Sequence, residues 1–279
     1  MKVTIIYFSQ TENTRTVAET MAEAFLEAGH ATRVICMRKA TIQDAVTADL
    51  LGVGSPCYSS QAPTPVKAFL HSLPRLEQKR AFVFATCSGA PGRVLYDMTH
   101  LLQSKGGEVI GGFLARGECH HPAPCLVGRF SNRPDGKDLT RARLFAVAVS
   151  EQVSFGRSGL VAESSPDTMK PQGNFYNAVA LLSTDKFLRS FSPEPKLVTA
   201  QCDQCQWCVD ECPMNNITLQ PYPVLGKKCI RCYHCLTGCP QKAFEVDWRL
   251  SNLGVGMFYN TIFERWFGDV KAGEKIYPE

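Results

Sequence analysis

Two cysteine-rich runs between residues 202 and 240 constrain the fold of this chain more than any other feature. Each run has the pattern Cys-x2-Cys-x2-Cys-x3-Cys-Pro, and the second repeats the first at an offset of 27 residues. The first run contains Cys202, Cys205, Cys208 and Cys212, and the second contains Cys229, Cys232, Cys235 and Cys239. This tight, repeated spacing predicts a small domain organised around metal–thiolate chemistry.

The spacing is typical of ligands to 4Fe–4S clusters, each of which needs four thiolates. A tight loop presents three of them, and the fourth, before the proline, ligates the other cluster. The sequence therefore predicts two ligand sets: Cys202, Cys205, Cys208 and Cys239, and Cys229, Cys232, Cys235 and Cys212. Zinc sites and disulfides are the alternatives, and the third cysteine of each run disfavours both. The stretch resembles the bacterial-type ferredoxins with two clusters.

The composition excludes several classes of function. The formal net charge of the 279 residues is +4, without a basic run, so no nucleic-acid partner is expected. No apolar stretch has the roughly eighteen residues that a membrane span needs, and the first residues have a strand pattern without a leader. Thirteen cysteines, many of them predicted ligands, require a reducing compartment, so we expect a cytoplasmic protein.

The first half of the chain alternates between strand-like and helix-like patterns. Strands are predicted at 2–8, 31–36, 48–54, 80–86 and 108–115. The first helix, ending near Gly29, is predicted to bury Val17, Met21, Phe25 and Leu26, and further helices are predicted around 66–73, 94–102 and 139–152. This alternation predicts an α/β domain with a parallel sheet.

Three loops lie where such sheets bind ligands, at the carboxyl ends of strands: 9–14, 55–63 and 86–92. The first is rich in hydroxyls and amides at a helix N-terminus, which favours an anion site. The alternative is a helix capped by Thr11, Asn13 or Thr14 that needs no ligand. Neither a G-x-G-x-x-G pattern nor a Walker lysine is present in this loop, which disfavours dinucleotides and ATP.

Residues 1–150 resemble a flavodoxin. The resemblance rests on the first loop, on 54–70, on 86–92 and on 133–143. It implies a doubly wound, five-stranded parallel sheet and bound FMN, with the phosphate on the first loop and the flavin ring between the other two. The implied FMN-binding residues are Ser9, Gln10, Thr11, Glu12, Asn13, Thr14, Ser55, Pro56, Cys57, Tyr58, Ser59, Thr86, Cys87, Ser88, Gly89 and Gly92. Glu12 departs from the family's glycine and brings a carboxylate and a Cβ to the phosphate loop.

The whole chain resembles a family of anaerobic electron-transfer proteins in which a flavodoxin-like domain precedes a two-cluster ferredoxin domain. The predicted division is an FMN-binding domain at 1–156, a connector with a helix near 175–191, a small α+β ferredoxin domain at 197–247, and a tail at 248–279. The tail places Phe258, Tyr259, Ile262, Phe263, Trp266 and Phe267 on one helical face. We expect this face to pack onto a domain, with a homodimer contact or a membrane surface as alternatives.

Cys119, His120, His121 and Cys125 follow the fifth predicted strand, near the expected edge of the flavin. A metal site is one interpretation of these residues, and loop residues without a metal are the favoured one. A histidine here would also be able to meet a substrate or a proton.

Other cysteines and aromatic residues have two interpretations each. Cys57 and Cys87, in the loops that flank the ring, either tune the flavin or are small buried residues. Cys36 ends a strand and is expected in the core. Trp207 and Tyr233, inside the cysteine runs, are expected to shield clusters from water, with electron relay as the less favoured role.

The sequence therefore predicts an electron-transfer protein that moves electrons between two 4Fe–4S clusters and FMN, with a redox protein or a small-molecule acceptor as partner. The alternative is an FMN-dependent reductase of a small molecule, fed by its own ferredoxin domain. The segment 117–134 discriminates between them, because His120 and His121 over the flavin would suit a substrate pocket. A zinc scaffold without redox chemistry is disfavoured by the cysteine repeat. No catalytic residue, donor or direction of electron flow follows from the sequence.

Overall fold

The computed structural model describes residues 1–89, 91–124, 126–157 and 192–249, and the single residues 159, 189 and 251. The chain divides into two compact units, Met1–Glu118 with Phe130–Leu182, and Cys119–Arg129 with Ser183–Glu279. The segment 119–129 thus groups with the cysteine-rich unit, whereas the sequence predicted a single uninterrupted domain to residue 156. Cys125, nearly all of the predicted connector helix and the aromatic face of the tail lie outside the described residues.

The first unit contains a five-stranded parallel sheet with the order β2-β1-β3-β4-β5. The strands are β1 (Lys2–Tyr7), β2 (Ala31–Cys36), β3 (Leu50–Pro56), β4 (Arg80–Cys87) and β5 (Glu108–Arg116). Nearly all residues of the strands other than β2 are buried on both faces, as their continuous apolar runs require. The edge strand β2 is half exposed. The prediction of a flavodoxin-like, five-stranded α/β sheet is confirmed.

In the described part of the first unit, five helices cover this sheet: α1 (Asn13–Glu27), α2 (Ile42–Val46), α3 (Thr64–Ser72), α4 (Val94–Ser104) and α5 (Gly136–Ser154). α1 packs against α5, and α3 packs against α4. The short α2 was missed because its sequence signal is a capping box of Thr41 and Asp44 and not a run of apolar residues. In the described ranges, no helix combines the length and the hydropathy needed to cross a bilayer.

The buried face of α1 differs from the prediction at one residue. Val17, Met21 and Phe25 are fully buried, whereas Leu26 is 55% exposed. A helix turns about 100° per residue, so the residue after Phe25 points away from the face that the i, i+4 series defines. The prediction that Leu26 is buried was wrong for this reason.

Two glycines of β3 make room for aromatic rings of β4. Gly52 pairs with Phe82 and Gly54 with Phe84 in the parallel register. A Cβ on Gly52 would lie 2.4 Å from the Phe82 ring, and one on Gly54 would lie 2.2 Å from the Phe84 ring. Phe82 in turn contacts Phe145 of α5, with ring centroids 5.9 Å apart. The missing side chains on β3 therefore determine how the aromatic core packs.

The described part of the second unit contains two short pairs of strands and two one-turn helices. β6 (Lys196–Leu197) pairs with β9 (Phe244–Glu245), and β7 (Ile217–Leu219) pairs with β8 (Pro223–Leu225), both antiparallel. Two one-turn helices follow cysteine loops, α6 (Trp207–Asp210) and α7 (His234–Thr237). In the described residues, the core cluster of this unit has only three buried members, Cys208, Ile217 and Phe244. So small an apolar core usually needs a metal or cross-links for stability.

We predict that Gly52→Ala lowers the stability of the first unit by about 1–3 kcal/mol, because the added methyl overpacks the Phe82 ring. Gly136→Ala is the matched control, since a Cβ there meets no atom within 4 Å. The measurement is the midpoint of urea denaturation followed by far-UV circular dichroism. Equal midpoints for the two variants would contradict the packing account.

Candidate functional site

The predicted FMN-binding residues lie at the carboxyl edge of the sheet. Since β1, β3 and β4 are neighbouring parallel strands, the loops that follow them leave the sheet side by side. The Tyr58 hydroxyl hydrogen-bonds the Gln10 side-chain oxygen, and the hydroxyls of Thr14 and Thr86 lie 2.8 Å apart. Loops that are distant in sequence therefore form one surface.

These residues fall into three groups along the chain. The β1–α1 loop and the first turn of α1 contain Ser9, Gln10, Thr11, Glu12, Asn13 and Thr14. The end of β3 and the start of its loop contain Ser55, Pro56, Cys57, Tyr58 and Ser59. The end of β4 and its loop contain Thr86, Cys87, Ser88, Gly89 and Gly92.

The N-terminus of α1 has no side-chain cap from its N-cap residue, Glu12. Two of the alternative capping side chains are engaged elsewhere: the Thr14 hydroxyl contacts Thr86, and the Asn13 amide donates to the Glu118 carbonyl oxygen at 2.9 Å. The amides of a first helical turn have no intrahelical acceptor, and the helix dipole adds positive potential there. This end of α1 therefore suits an anion.

Glu12 adopts the left-handed conformation that its position requires, with φ 67°. For a residue with a Cβ this conformation costs about 1–2 kcal/mol. Its carboxylate is two-thirds exposed and forms an ion pair with Arg15 at 2.9 Å. The side chain thus faces solvent, its charge is partly neutralised, and the backbone of the loop remains available to a phosphate.

A buried carboxylate holds the second loop. Asp97 of α4 is 6% exposed and contacts the Arg93 guanidinium at 2.6 Å and the Lys67 ammonium at 3.3 Å. It also accepts a hydrogen bond from the Ala62 amide at 3.3 Å. The loop after β3 is thereby anchored to α4. Asp97 gave no signal in sequence, because it occupies an ordinary i, i+4 position after an arginine.

A buried cation holds the third loop. Arg116, at the end of β5, is fully buried and donates to the Gly89 carbonyl oxygen at 2.8 Å. Its guanidinium lies over the Phe130 ring, 4.7 Å from the centroid. The sequence analysis missed this residue, although a lone arginine at the end of an apolar strand was a visible signal.

The two cysteines of these loops are inert thiols. Burial raises the pKa of both Cys57 and Cys87. The Cys57 thiol donates to the Pro91 carbonyl oxygen at 3.6 Å. Both thiols are therefore protonated at neutral pH, and a contact of either side chain with the flavin stays a prediction.

In the second unit, the sequence repeat is also a repeat of backbone conformation. Left-handed residues recur at equivalent positions, 27 residues apart, in three pairs: Gln204 and Arg231, Gln206 and Tyr233, Asn215 and Lys242. The amide of Asn216 donates to the Cys212 sulfur at 3.4 Å, and the equivalent amide of Ala243 donates to Cys239 at 3.3 Å. Both cysteine runs thus follow the same local path.

Four cysteines share one cavity, and Cys235 lies near four other cysteines. Cys202, Cys205, Cys208 and Cys239 line one cavity, together with Trp207 and Phe244. Burial and the nearby thiols of that group raise the pKa of Cys208 to about 11. The pKa of Cys235 is raised to about 12 by burial and by four neighbouring thiols, those of Cys232, Cys229, Cys208 and Cys212.

Among the described residues, no three His, Cys, Asp or Glu side chains are arranged to hold one metal ion. Ligands of a single ion converge on one point, whereas the thiolates of a cubane cluster bind separate irons. The Nε of Arg231 is buried and has no hydrogen-bond acceptor in the described structure, and Nη1 lies 3.1 Å from the Glu194 carboxylate. A buried cation next to several thiols is chemically suited to an anionic, sulfur-containing group.

His121 lies with the aromatic residues of the cysteine-rich unit. Its ring contacts Tyr233 and Trp248, with centroid distances of 5.0 and 5.6 Å. Its Nδ1 accepts a hydrogen bond from the Ala123 amide at 3.2 Å. Burial lowers the pKa of His121 to about 4, so the ring is neutral near pH 7. His120, by contrast, is exposed.

The family comparison agrees with the fold of the first unit. Residues 5–142 match the family described as Flavodoxin. This part of the chain is similar to the flavodoxins, and its strand order β2-β1-β3-β4-β5 is that of a doubly wound sheet. None of the curated proteins matches the chain.

Similar solved structures include a flavodoxin from the domain Archaea, with 19% identity over 55% of this chain and 99% of that chain, and a TM-score of 0.45. The Megasphaera elsdenii flavodoxin has 23% identity over 50% of this chain and 97% of that chain, with a TM-score of 0.40. The rubredoxin oxygen:oxidoreductase of the anaerobe Desulfovibrio gigas has 19% identity over 55% of this chain and 36% of that chain, with a TM-score of 0.45.

We predict that the second unit loses stability as the pH falls from about 6.5 towards 4, because the unfolded chain binds a proton at His121 that the folded chain excludes. The contribution is at most about 3 kcal/mol. His121→Phe removes it and makes the pH dependence shallower, whereas His120→Phe leaves the slope unchanged. All three tryptophans of the chain lie in this unit, so tryptophan fluorescence during urea denaturation measures it. A slope unaffected by His121→Phe would contradict the burial of a neutral ring.

Proposed function

We propose that this protein transfers electrons between two 4Fe–4S clusters and FMN. The observation that carries the proposal is the cysteine repeat, which recurs in backbone conformation as well as in spacing, in a chain whose other unit is a flavodoxin-like domain. The proposed ferredoxin domain occupies 197–247, after the flavodoxin-like domain. Its partner is a redox protein that donates or accepts single electrons.

In the first unit, the residues have binding and orienting roles. The uncapped N-terminus of α1 would hold the phosphate of FMN, with Glu12 turned to solvent. The loops after β3 and β4, anchored by Asp97 and Arg116, would flank the ring. When bound, FMN supplies exchange of one or two electrons.

In the second unit, each cluster would exchange one electron at a time, held by the crossed sets Cys202, Cys205, Cys208 and Cys239, and Cys229, Cys232, Cys235 and Cys212. The amides that donate to Cys212 and Cys239 would stabilise their negative sulfurs. Trp207 packs in the core next to Cys208, and Tyr233 is 1% exposed, so both would limit the access of water.

A carrier is favoured over a reductase with a substrate pocket by the surroundings of His121. The reductase alternative requires that a histidine of the segment 117–134 faces a substrate bound next to the flavin. The His121 ring instead packs between Tyr233 and Trp248 and uses Nδ1 within its own loop. Such a ring supports the packing of the cysteine-rich unit and is not available to a substrate, so the reductase alternative rests on the exposed His120 alone.

Anaerobic purification followed by redox titration tests this proposal. We expect about one FMN per chain by mass and about eight irons per chain, with two reducible clusters by EPR. The flavin absorbance and the cluster absorbance should both bleach on reduction. Clusters without flavin would refute the FMN half, and bound zinc without iron would refute the cluster half.

The crossed ligand assignment makes a separate prediction. Cys239→Ser should remove or alter the cluster of the first cysteine loop, although Cys239 belongs to the second run, because it groups with Cys202, Cys205 and Cys208. The matched variant Cys212→Ser should affect the other cluster. EPR spectra of the two reduced variants should therefore lose different signals. Identical losses, or effects confined to the variant's own run, would rule out the crossing.

Glu12 provides a prediction on FMN affinity. Glu12→Gly should tighten FMN binding by about fivefold, since it removes a carboxylate from the phosphate loop. Glu12→Ala removes the same charge and should gain about as much, because the positive φ is present without the ligand and its strain changes stability instead. Fluorescence quenching of FMN on titration with flavin-stripped protein measures both affinities. Weaker binding by Glu12→Gly would mean that the Glu12 side chain assists the ligand.

A further inference from the structure

The two cysteine loops share a backbone path but differ in charge at one pair of equivalent positions. Gln204 in the first loop and Arg231 in the second have φ values of 59° and 56° and are related by the repeat. Gln204 is exposed, whereas the Arg231 side chain is 12% exposed. A permanent positive charge is therefore enclosed beside one ligand set and has no counterpart in the other.

The surroundings of Arg231 direct its charge to the second ligand set. Its amide donates to the Cys229 sulfur at 3.5 Å, and its largely buried side chain begins between Cys229 and Cys232, two members of that set. The carboxylate of Glu194 is 3.1 Å from Nη1 but is 53% exposed. Water screens the carboxylate more than the guanidinium, so a net positive potential remains at the sulfur.

One unsatisfied donor of Arg231 points to the same conclusion. Its Nε is buried and has no hydrogen-bond acceptor in the described structure, whereas Nη1 lies 3.1 Å from the Glu194 carboxylate. A buried donor without an acceptor costs free energy. A cluster held by the adjacent cysteines would place sulfur atoms there that can accept its hydrogen bond. Hydrogen bonds to cluster sulfur raise the reduction potential.

The exposure of the cysteines to solvent does not offset the difference in charge between the two ligand sets. Cys229, Cys232, Cys235 and Cys212 are all partly exposed, whereas the first set ranges from exposed Cys205 to buried Cys208. Neither set is uniformly drier than the other. Reduction adds one negative charge to a cluster. The enclosed Arg231 cation stabilises that charge at the second site, and this electrostatic effect distinguishes the two sites.

We propose that Arg231 makes the cluster site of Cys229, Cys232, Cys235 and Cys212 the one with the higher reduction potential, so that an electron shared between the two sites resides there. The inference rests on the proposed function, because it needs both clusters. Arg231 is a positioning residue in this role: it acts on the site through its charge and the Cys229 sulfur.

The test is a spectroelectrochemical titration of the full chain, with EPR to follow each reducible site. The unmodified protein should show two separate midpoints. Arg231→Gln should lower the higher midpoint, reducing the ratio of reduced to oxidised site about tenfold at a fixed potential, equivalent to about 59 mV for one electron. Arg231→Lys should retain most of the separation.

Two further variants separate charge from folding. Glu194→Gln removes the opposing charge and should move the same midpoint in the positive direction, which loss of structure would not do. Gln204→Arg, the equivalent position of the first loop, should raise the lower midpoint and narrow the gap. Each variant is compared at equal iron content per chain.

Unchanged midpoints in Arg231→Gln and Glu194→Gln, with both clusters present, would overturn the role of Arg231 and leave the proposed function intact. If Arg231→Gln loses a cluster, the direction of the shift in Glu194→Gln decides: a positive shift supports the inference and no shift overturns it. Absence of iron–sulfur clusters from the unmodified chain would overturn the proposed function, and this inference with it.

Discussion

The adjacency of β1, β3 and β4 at the centre of a parallel sheet is the constraint on which the first unit depends. It brings three loops to one edge, where backbone amides and hydroxyls converge. The packing beneath maintains the register: glycines of β3 accommodate the rings of β4, and those rings contact α1 and α5. The buried side chains of Asp97 and Arg116 hydrogen-bond to the backbone of the second and third loops and hold them in place. The candidate flavin site is thus held by groups that would never touch the flavin.

The second unit depends on a different constraint, the left-handed residues that turn each cysteine loop. These turns bring the thiols of distant residues together, and burial with mutual proximity holds the thiol pKa values of Cys208 and Cys235 high. Thiols of this kind ionise only when a cation replaces their protons. Because cysteines are part of the described core cluster of this unit, binding of metal and folding of the unit are expected to be coupled.

The sequence predicted the strands, their parallel pairing and the three loops, because runs of apolar residues determine elements that are buried on both faces. The sequence did not predict the burial of single side chains correctly. Leu26 points to solvent because it lies one residue past the buried series of α1. Arg116 is buried, although arginine is ordinarily a surface residue. The contact of His121 with Tyr233, a residue far along the chain, also had no signal in the sequence. Motif spacing carries information about local geometry, but contacts between distant loops depend on tertiary packing.

The central claim is that the cysteine repeat binds two iron–sulfur clusters with crossed ligands. Anomalous diffraction at the iron edge, from crystals of the intact chain grown without oxygen, tests it most directly. The account predicts two separate iron clusters, one within reach of Cys202, Cys205, Cys208 and Cys239, and the other within reach of Cys229, Cys232, Cys235 and Cys212. A signal at the zinc edge alone, or iron bound by cysteines of a single run without crossing, would contradict it.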